Sequence, residues 1–264
     1  MKENERMVAA GRTAELYALE SGRVLKLFRK GLPRTMAEEE FRIAQNVFRS
    51  GLHVPEPFEY VESEGRVGVV YEKAEGHTML AMIFQNPGIV ETEARRMARI
   101  HAEIHERKAE GLPRLKAALE RRISDAPLLS AEEKAEIVLK LEDLEDDGSL
   151  CHGDFHPDNI ILGQKEWVID WMTATAGNPA ADVARTLLML EHGALPDELP
   201  LSAVEFFTGI RQALAAAYMN EYTRLTRIPR EEIVKWLVPV ASARLTEWIP
   251  DSEKEKLLEL IRKQ

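Results

Sequence analysis

Two acids and an amide stand at spacings that suit a divalent cation and a hydroxyl group. Asp154 precedes Asn159 by five residues, and Asp170 follows Asn159 by eleven residues. Carboxylate and amide oxygens are ligands that Mg²⁺ accepts, usually one or two of them beside phosphate and water. A carboxylate in a loop can also accept the proton of an attacking hydroxyl group. The pattern predicts phosphoryl-transfer chemistry, and the structural alternative is a polar loop that caps a hairpin.

A β-hairpin is expected to hold the amide and the second acid together. Two short β-rich runs, at 160–162 and 167–169, flank a loop of four residues. If the runs pair directly across that loop, Asn159 lies opposite Asp170, and paired Cα atoms are roughly 4.5–5.5 Å apart. The two oxygen ligands would then lie side by side at the open end of the hairpin.

Two segments carry a family resemblance. The sequence His-Gly-Asp-Phe-His-Pro-Asp-Asn at 152–159 and Ile-Asp-Trp at 169–171 resemble the catalytic loop and metal-binding segment of the aminoglycoside phosphotransferase and choline kinase-like family. The resemblance implies an α+β, bilobal, protein-kinase-like fold. Its N-lobe would be a small antiparallel β-sheet with one helix, and its mostly α-helical C-lobe would carry the catalytic β-hairpin.

The resemblance also implies roles for single residues. Asp154 would be the catalytic base, and Asn159 and Asp170 would bind Mg²⁺. His152 would support the loop, and Asp182 would anchor its backbone. An acid in the first turn of a helix also complements the helix dipole, which is the structural alternative for Asp182.

Two departures separate this chain from protein kinases. Gly153 stands where a protein kinase has Arg, and Trp171 and Met172 stand where it has Phe and Gly. The resemblance therefore implies a small-molecule kinase that transfers the γ-phosphate of ATP or GTP to a hydroxyl of a metabolite or aminoglycoside-like acceptor. The alternatives are a non-catalytic nucleotide-binding module and, less favoured, a protein kinase. The basic, polar tail at 260–264 differs from the acidic, aromatic C-terminus of aminoglycoside-modifying members, so a metabolite is at least as well supported as an antibiotic.

The elements that must position these residues change in character along the chain. The N-terminal part is mostly strand-like, with hairpin turns expected at 21–22 and 64–65 and an amphipathic helix at 35–50. The remaining sequence is mostly helical. Helices are expected near 91–106, 114–123, 131–146, 180–191, 202–225, 230–245 and 252–263. We therefore expect a nucleotide-binding N-lobe over 1–73 and a catalytic, acceptor-binding C-lobe over 74–264.

Three residues near the N-terminus are candidates for contacts with phosphate groups. Strand alternation in Arg23–Phe28 places Lys26 between two apolar neighbours on one face, and an edge lysine that aids solubility is the alternative. By resemblance, Lys26 contacts the α- and β-phosphates. Gly11 lets the backbone approach a phosphate and Thr13 adds a hydroxyl donor, although an ordinary glycine turn explains the same segment.

Lys26 needs an acidic partner, and the sequence predicts Glu40. This acid falls inside the apolar stripe of the helix at 35–50. A charge on an inward face needs a partner because an unpaired buried charge is costly. By resemblance, backbone groups of Glu72 and Ala74 bind the edge of the adenine ring.

The composition is acidic. Lys and Arg number 35 against 45 Asp and Glu, a net charge of −10 that argues against a nucleic-acid partner. No apolar run approaches the ~18 residues that cross a bilayer, and 1–6 is not expected to be a secretory signal. Cys151 is the single cysteine, so no disulfide framework is expected. We expect a cytoplasmic enzyme with a small-molecule acceptor and neither nucleic-acid nor membrane partners, and the oligomeric state is not predicted.

His101 and His105 form a pair that could bind a metal ion. They are four residues apart on a predicted helix, so both face the same side. A zincin would need Glu directly after the first histidine, where Ala102 stands. His101 also lies on the apolar stripe, so we expect a core histidine.

Overall fold

The structure, a computed structural model, describes residues 6–11, 13–63, 65–195 and 199–263. The chain forms two compact units. The first unit runs to Thr78 and includes Asn159–Thr173, and the second comprises Met79–Asp158 and the chain from Ala174 onward. The hairpin that follows Asn159 therefore belongs to the same unit as the N-terminal strands.

The described elements confirm the expected fold class, with an antiparallel N-terminal sheet and a helical C-terminal part. The strands are β1 (Arg6–Ala10), β2 (Ala14–Leu19), β3 (Arg23–Phe28), β4 (Pro57–Ser63), β5 (Arg66–Glu72), β6 (His77–Thr78), β7 (Ser149–Cys151), β8 (Ile160–Leu162), β9 (Glu166–Val168) and β10 (Thr175–Gly177). The helices are α1 (Arg34–Arg49), α2 (Met79–Gln85), α3 (Val90–His105), α4 (Leu115–Asp125), α5 (Ala131–Glu142), α6 (Pro179–His192), α7 (Leu201–Thr226), α8 (Arg230–Val234), α9 (Leu237–Arg244) and α10 (Asp251–Lys263). None of these described helices is both long and apolar enough to cross a bilayer.

A five-stranded antiparallel sheet forms most of the first unit, in the order β1-β2-β3-β5-β4. Ser21 and Gly22 have φ values of 66° and 70°, the left-handed backbone that tight hairpin turns use, so the first predicted turn is confirmed. In the second predicted turn, Glu64 lies outside the described residues, and Gly65 has a φ of 72°. Together the turns leave β3 in the middle of the sheet, between β2 and β5.

Helix α1 packs an apolar stripe against β4 and β5. The stripe recurs at helical spacing and consists of Ala37, Glu40, Ile43, Ala44 and Val47. The helix follows Pro33, and Gly51 after its end has a φ of 80°, which glycine adopts without strain. The prediction of a helix at 35–50 is confirmed to within one residue at each end.

The β8–β9 hairpin forms, but its predicted register is wrong by one residue. Leu162 pairs with Glu166 instead of Trp167, so the loop has three residues instead of four. A register is fixed by sequence when one face of a strand is apolar and the other polar. Here Trp167 and Val168 are consecutive and both are buried, so alternation could not identify the inward face.

The corrected register changes what lies opposite the candidate amide. Asn159 faces Ile169, whose N–H donates to Asn159 O at 3.0 Å, and does not face Asp170 as predicted. Asp170 comes one residue later and has a φ of 63°. This left-handed backbone is uncommon outside glycine, and it lies two residues after the end of β9.

The second unit is mostly helical, with α3 and α7 packed along each other. Two predicted helices differ in extent. The helix expected at 131–146 ends at Glu142, because the acidic residues that follow would face the negative end of the helix dipole. The helix expected at 230–245 is divided into α8 and α9, because Pro239 has no N–H to bond the carbonyl four residues earlier.

Candidate active site

Lys26 lies at the centre of a charged cluster in the first unit. Its Nζ is 2.9 Å from Glu40 Oε1 and 2.9 Å from Asp170 Oδ1. The predicted pairing with Glu40 is therefore present, and Asp170 is a second partner. Burial lowers the pKa of the Lys26 ammonium, but the two carboxylates outweigh burial and hold that pKa above its ordinary value.

Strand and helix packing fix this cluster. Because β3 lies inside the sheet, the alternative of an edge-strand lysine does not apply to Lys26. Glu40 is 4% exposed, and its Oε1 also accepts a hydrogen bond from the Tyr71 hydroxyl at 2.9 Å. An inward-facing acid on α1 and a lysine on the central strand therefore neutralise each other.

Gly11 and Thr13 lie in the turn between β1 and β2. Gly11 N–H donates to Ala14 O at 2.8 Å, and Arg29 N–H donates to Thr13 O at 2.9 Å. A Cβ at Gly11 would meet Ala14 O at 3.5 Å, an ordinary contact, so the turn itself does not require glycine. The contacts of Gly11 and Thr13 with phosphate stay predictions.

Glu72 is the last residue of β5, and Ala74 lies two residues further along the chain. Glu72 N–H donates to Glu56 O at 2.9 Å and is therefore already used. The N–H of Ala74 makes no hydrogen bond with any residue that the structure describes. Of the two N–H groups, only that of Ala74 is open to a purine edge, and the contact with adenine stays a prediction.

The loop that carries Asp154 is held by helix α6 in the second unit. Asp182 accepts the N–H of Gly153 on Oδ1 at 2.8 Å and the N–H of His152 on Oδ2 at 2.5 Å. His152 Nδ1 accepts the Asp154 N–H at 3.1 Å. Gly153 has a φ of 79°, which explains why glycine stands here. Asp182 and His152 thus make the backbone contacts that loop support requires.

The Asp154 carboxylate lies between two basic side chains. Its Oδ1 is 3.5 Å from Arg185 Nη2, and its Oδ2 is 3.6 Å from His156 Nε2. Burial raises the pKa of Asp154, but the hydrogen bond with His156 and the charge of Arg185 outweigh it, so that pKa lies below its usual range. Such a weak base can orient a hydroxyl group and take its proton late in phosphoryl transfer.

Behind the loop, Asp182 is held by a buried network of two histidines and two tyrosines. His101 Nε2 and His105 Nε2 lie 3.1 and 3.3 Å from Asp182 Oδ2. Their Nδ1 atoms lie 2.6 and 2.7 Å from the hydroxyl groups of Tyr218 and Tyr222. The hydrogens are all accounted for if both imidazoles are neutral, with Nε2–H donating to the carboxylate and each tyrosine donating to Nδ1.

The electrostatics of His101 agree with a neutral ring. Burial, reinforced by repulsion from His105, lowers the pKa of His101 to about 3. His101, His105 and Asp182 also stand where three metal ligands could. However, their ligand atoms already bond one another, so a metal ion would have to displace two protons from a filled network. The structure therefore agrees with a core histidine.

Arg185 and Glu247 lie near the loop, and neither belongs to a sequence motif. Arg185 donates to Gly153 O, and its Nη1 lies 2.7 Å from Glu247 Oε1. One signal was available, because Arg185 lies three residues after Asp182 and shares its helix face. Glu247, beyond α9, reaches the loop only through tertiary packing, for which the sequence has no local signal.

The donor groups of the first unit fit a nucleotide with Mg²⁺. Asn159 and Asp170 offer amide and carboxylate oxygens, which are ligands that Mg²⁺ takes. Lys26 offers an ammonium group that suits phosphate. Glu40 Oε2 is buried without a hydrogen-bond partner among the described residues, and such atoms are normally satisfied by a ligand or water. Contacts of these residues with nucleotide and metal stay predictions.

The N-terminal sheet carries a lysine that pairs with a helix glutamate, and the helical unit carries an aspartate loop. These features define the protein-kinase-like class of phosphotransferases. The chain belongs to the phosphotransferase enzyme family, whose model matches residues 6–228. The family resemblance of the loop and the fold that it implies are thereby confirmed.

Solved structures show the same fold. An aminoglycoside-3'-phosphotransferase of type VIII has a TM-score of 0.64 and 19% identity, over 91% of this chain and 94% of that chain. A thermostable mutant of aminoglycoside phosphotransferase APH(4)-Ia, in a ternary complex with AMP-PNP and hygromycin B, has a TM-score of 0.67 and 14% identity, over 98% of this chain and 93% of that chain. At these identities the likeness establishes the fold alone.

Two similar proteins with longer chains are known from Homo sapiens and Pongo abelii. Each is named acyl-CoA dehydrogenase family member 11. The human protein is 24% identical over 240 residues, which cover 74% of this chain and 30% of the relative. The orangutan protein is 25% identical over 233 residues, which cover 72% and 29%. This chain thus spans less than a third of the length of these relatives.

Proposed function

We propose that this phosphotransferase is a Mg²⁺-dependent small-molecule kinase that transfers the γ-phosphoryl group of ATP or GTP to a hydroxyl group. The observation that carries the proposal is the double contact of Lys26 with Glu40 and Asp170. In kinases of this fold, a lysine–glutamate ion pair and a metal-binding aspartate must both be in place for transfer. Similar structures hold AMP-PNP or ADP together with hygromycin B, which supports a nucleotide as co-substrate.

Residues of the first unit would bind the nucleotide. Lys26 would neutralise charge on the α- and β-phosphates, and Gly11 and Thr13 would offer backbone and hydroxyl donors near them. The Glu72 carbonyl and the Ala74 N–H would read the adenine edge. These contacts set affinity for the nucleotide and do not act on the acceptor.

Metal binding would fall to Asn159 and Asp170. The metal ion that these two residues would hold would supply positive charge to offset the negative charge that develops on the phosphoryl group during transfer. Asp170 Oδ1 already accepts a hydrogen bond from Lys26 Nζ, so one carboxylate would contact both the lysine and the metal ion. Asn159 has no charge and would tune metal affinity.

Asp154 would orient the acceptor hydroxyl. Its lowered pKa keeps the carboxylate ionised at physiological pH, so it can accept a hydrogen bond from the hydroxyl in the ground state. His152 and Asp182 would keep the loop in place through its backbone N–H groups. Most of the rate enhancement would come from positioning and electrostatic stabilisation, as is general for phosphoryl transfer.

The proposal is tested by ADP formation. The full chain is incubated with ATP and Mg²⁺ and a panel of alcohols that includes hydroxy acids, sugars, amino alcohols and aminoglycosides. We expect at least one alcohol to stimulate ADP formation, EDTA to abolish that activity, and a phosphate monoester of the alcohol to appear in the ³¹P NMR spectrum. A parallel series with GTP determines the nucleotide preference. Nucleotide binding without transfer to any alcohol would instead indicate a non-catalytic binding module.

A further inference from the structure

Three arginines converge on one carboxylate beside Asp154. Glu247 lies 2.7 Å from Arg185 Nη1 through Oε1, 3.3 Å from Arg122 Nη1 through the same oxygen, and 2.8 Å from Arg244 Nη1 through Oε2. The protein as a whole is acidic, with a net charge of −10, so this local concentration of basic groups differs from its overall charge. All of these residues lie in the second unit.

Two of the three arginines have their donors engaged. Arg185 bonds Gly153 O and Glu247 and contacts Asp154. Arg244 bonds Glu247 and also Glu253, whose Oε1 lies 2.7 Å from Arg244 Nη2. These two guanidinium groups therefore hold the protein's own acids and have little capacity left for a ligand.

Arg122, on α4, differs from the other two. Its one hydrogen bond among the described residues is to Glu247 at 3.3 Å, and its side chain is 38% exposed. A guanidinium group has five N–H donors, so most of those on Arg122 remain free. Burial, followed by the charge of Arg185, lowers the pKa of Arg122, and the negative charge of Glu247 offsets part of this effect.

The charges around Asp154 disfavour a polycationic acceptor. The half-buried acids Asp154 and Glu247 are both paired with Arg185, and Asp158 is an exposed acid of the same loop. An ammonium-rich molecule would have to displace an arginine and would meet Arg122 as a like charge. An anionic group would instead find the free donors of Arg122, and guanidinium is well matched to carboxylate and phosphate.

We infer that the acceptor is an alcohol that also carries an anionic group, and that Arg122 binds this group while Asp154 orients the hydroxyl. The inference rests on the proposed kinase activity and narrows it to a substrate class. The simplest member of that class is a short hydroxycarboxylate, and a sugar or glycerol phosphate presents the same charge. Arg122 then acts as a specificity residue, because a neutral alcohol of equal size would lack the charge-assisted contact.

Matched pairs of acceptors test the inference in the full chain. The acids β-hydroxybutyrate, γ-hydroxybutyrate and glycerol phosphate are compared with the methyl esters of the two acids and with glycerol. Charge-assisted hydrogen bonds contribute ~1.5–3 kcal/mol, so we expect kcat/KM to favour an anion over its neutral partner by about ten-fold or more. The carboxylate and phosphate members of the panel show which anion the site takes. Hygromycin B serves as the cationic comparison.

Two neighbouring variants separate a specific contact from overall charge. Arg122→Gln should remove most of the preference for the anion, through a higher KM for the acid and little change for the ester. Arg121→Gln removes the same charge from an exposed position of the same helix and should keep the preference. A preference that survives in Arg122→Gln, or that is lost equally in Arg121→Gln, overturns the inference.

The outcomes also separate this inference from the kinase proposal. Efficient phosphorylation of hygromycin B or of neutral alcohols, in preference to the anionic ones, would overturn the substrate class and leave the kinase activity established. Transfer to no alcohol of any charge would overturn both.

Discussion

Lys26 Nζ lies 2.9 Å from Asp170 Oδ1, although 144 residues separate the two in sequence. The contact joins the central strand of the N-terminal sheet to the hairpin that carries the candidate metal ligands. Glu40 completes the cluster from helix α1. Three elements that are distant in sequence thus place one ammonium group between two carboxylates, which is the arrangement expected for binding phosphate and a metal ion.

Removal of the ammonium group should abolish turnover. Lys26→Met leaves the buried Glu40 carboxylate without its counter-charge, which costs about 3–5 kcal/mol of stability when a buried pair is broken. It also removes the group that neutralises phosphate, so we expect turnover to fall on the order of 10²–10³-fold. Urea unfolding and ADP formation measure the two effects separately.

The double variant Lys26→Met/Glu40→Gln distinguishes stability from chemistry. Neutralising both partners removes the uncompensated charge, so stability should return towards that of the wild type. Turnover should remain low because no ammonium group faces the phosphates. Recovery of turnover in the double variant would show that Lys26 is needed for folding alone.

The buried histidine His101 should make stability depend on pH. Burial lowers its pKa to about 3, against about 6.5 in an unfolded chain. Between these values the unfolded chain binds a proton that the folded chain does not. The contribution of neutral His101 to the free energy of unfolding is therefore fully present above about pH 6.5. It is lost as pH falls towards 3, by about 1.4 kcal/mol per pH unit.

Urea unfolding at pH 7 and pH 5 measures this dependence. In His101→Gln, the drop in unfolding free energy between the two pH values should shrink by about 2 kcal/mol relative to the wild type. His53→Gln changes an exposed histidine and should leave the drop as it is. An equal drop in wild type and His101→Gln would mean that His101 titrates normally and that the neutral network is not formed.

Local patterns in the sequence, together with the family resemblance, predict Asp154, Asn159 and Asp170 as candidate chemical residues, and their roles stay predictions. The inward position of Glu40 on its helix also identified the partner of Lys26. The prediction of the hairpin register is wrong because β9 buries the consecutive residues Trp167 and Val168, which leaves no alternation to follow in that strand. The register of such a strand depends on tertiary packing.

Contacts between distant elements account for what the sequence could not predict. Arg122 and Glu247 meet because α4 packs against α9, and neither residue lies in a recognisable motif. The histidine and tyrosine network likewise depends on the packing of α3 against α7. The division of α8 from α9 is an exception, because Pro239 is a local sequence signal for an interrupted helix.

Gly153 should be required for activity because of its backbone conformation. Its φ of 79° would place a Cβ in a strained position, so Gly153→Ala should cost about 1–2 kcal/mol and shift the loop that carries Asp154. Turnover should fall by more than the folded fraction does. Gly51 has a φ of 80° with open space around it, so Gly51→Ala is a matched control that should lose stability and keep activity. Equal activity in the two folded variants would contradict a role for the loop conformation.

The most direct test of the kinase account pairs two measurements on Asp154→Asn. The amide keeps the shape of the side chain and loses its charge, so binding of AMP-PNP with Mg²⁺, measured by titration calorimetry, should remain as in the wild type. Formation of ADP with the acceptor should fall on the order of 10²–10⁴-fold, because the hydroxyl is no longer oriented by a carboxylate. Turnover at the wild-type rate in Asp154→Asn would contradict the account.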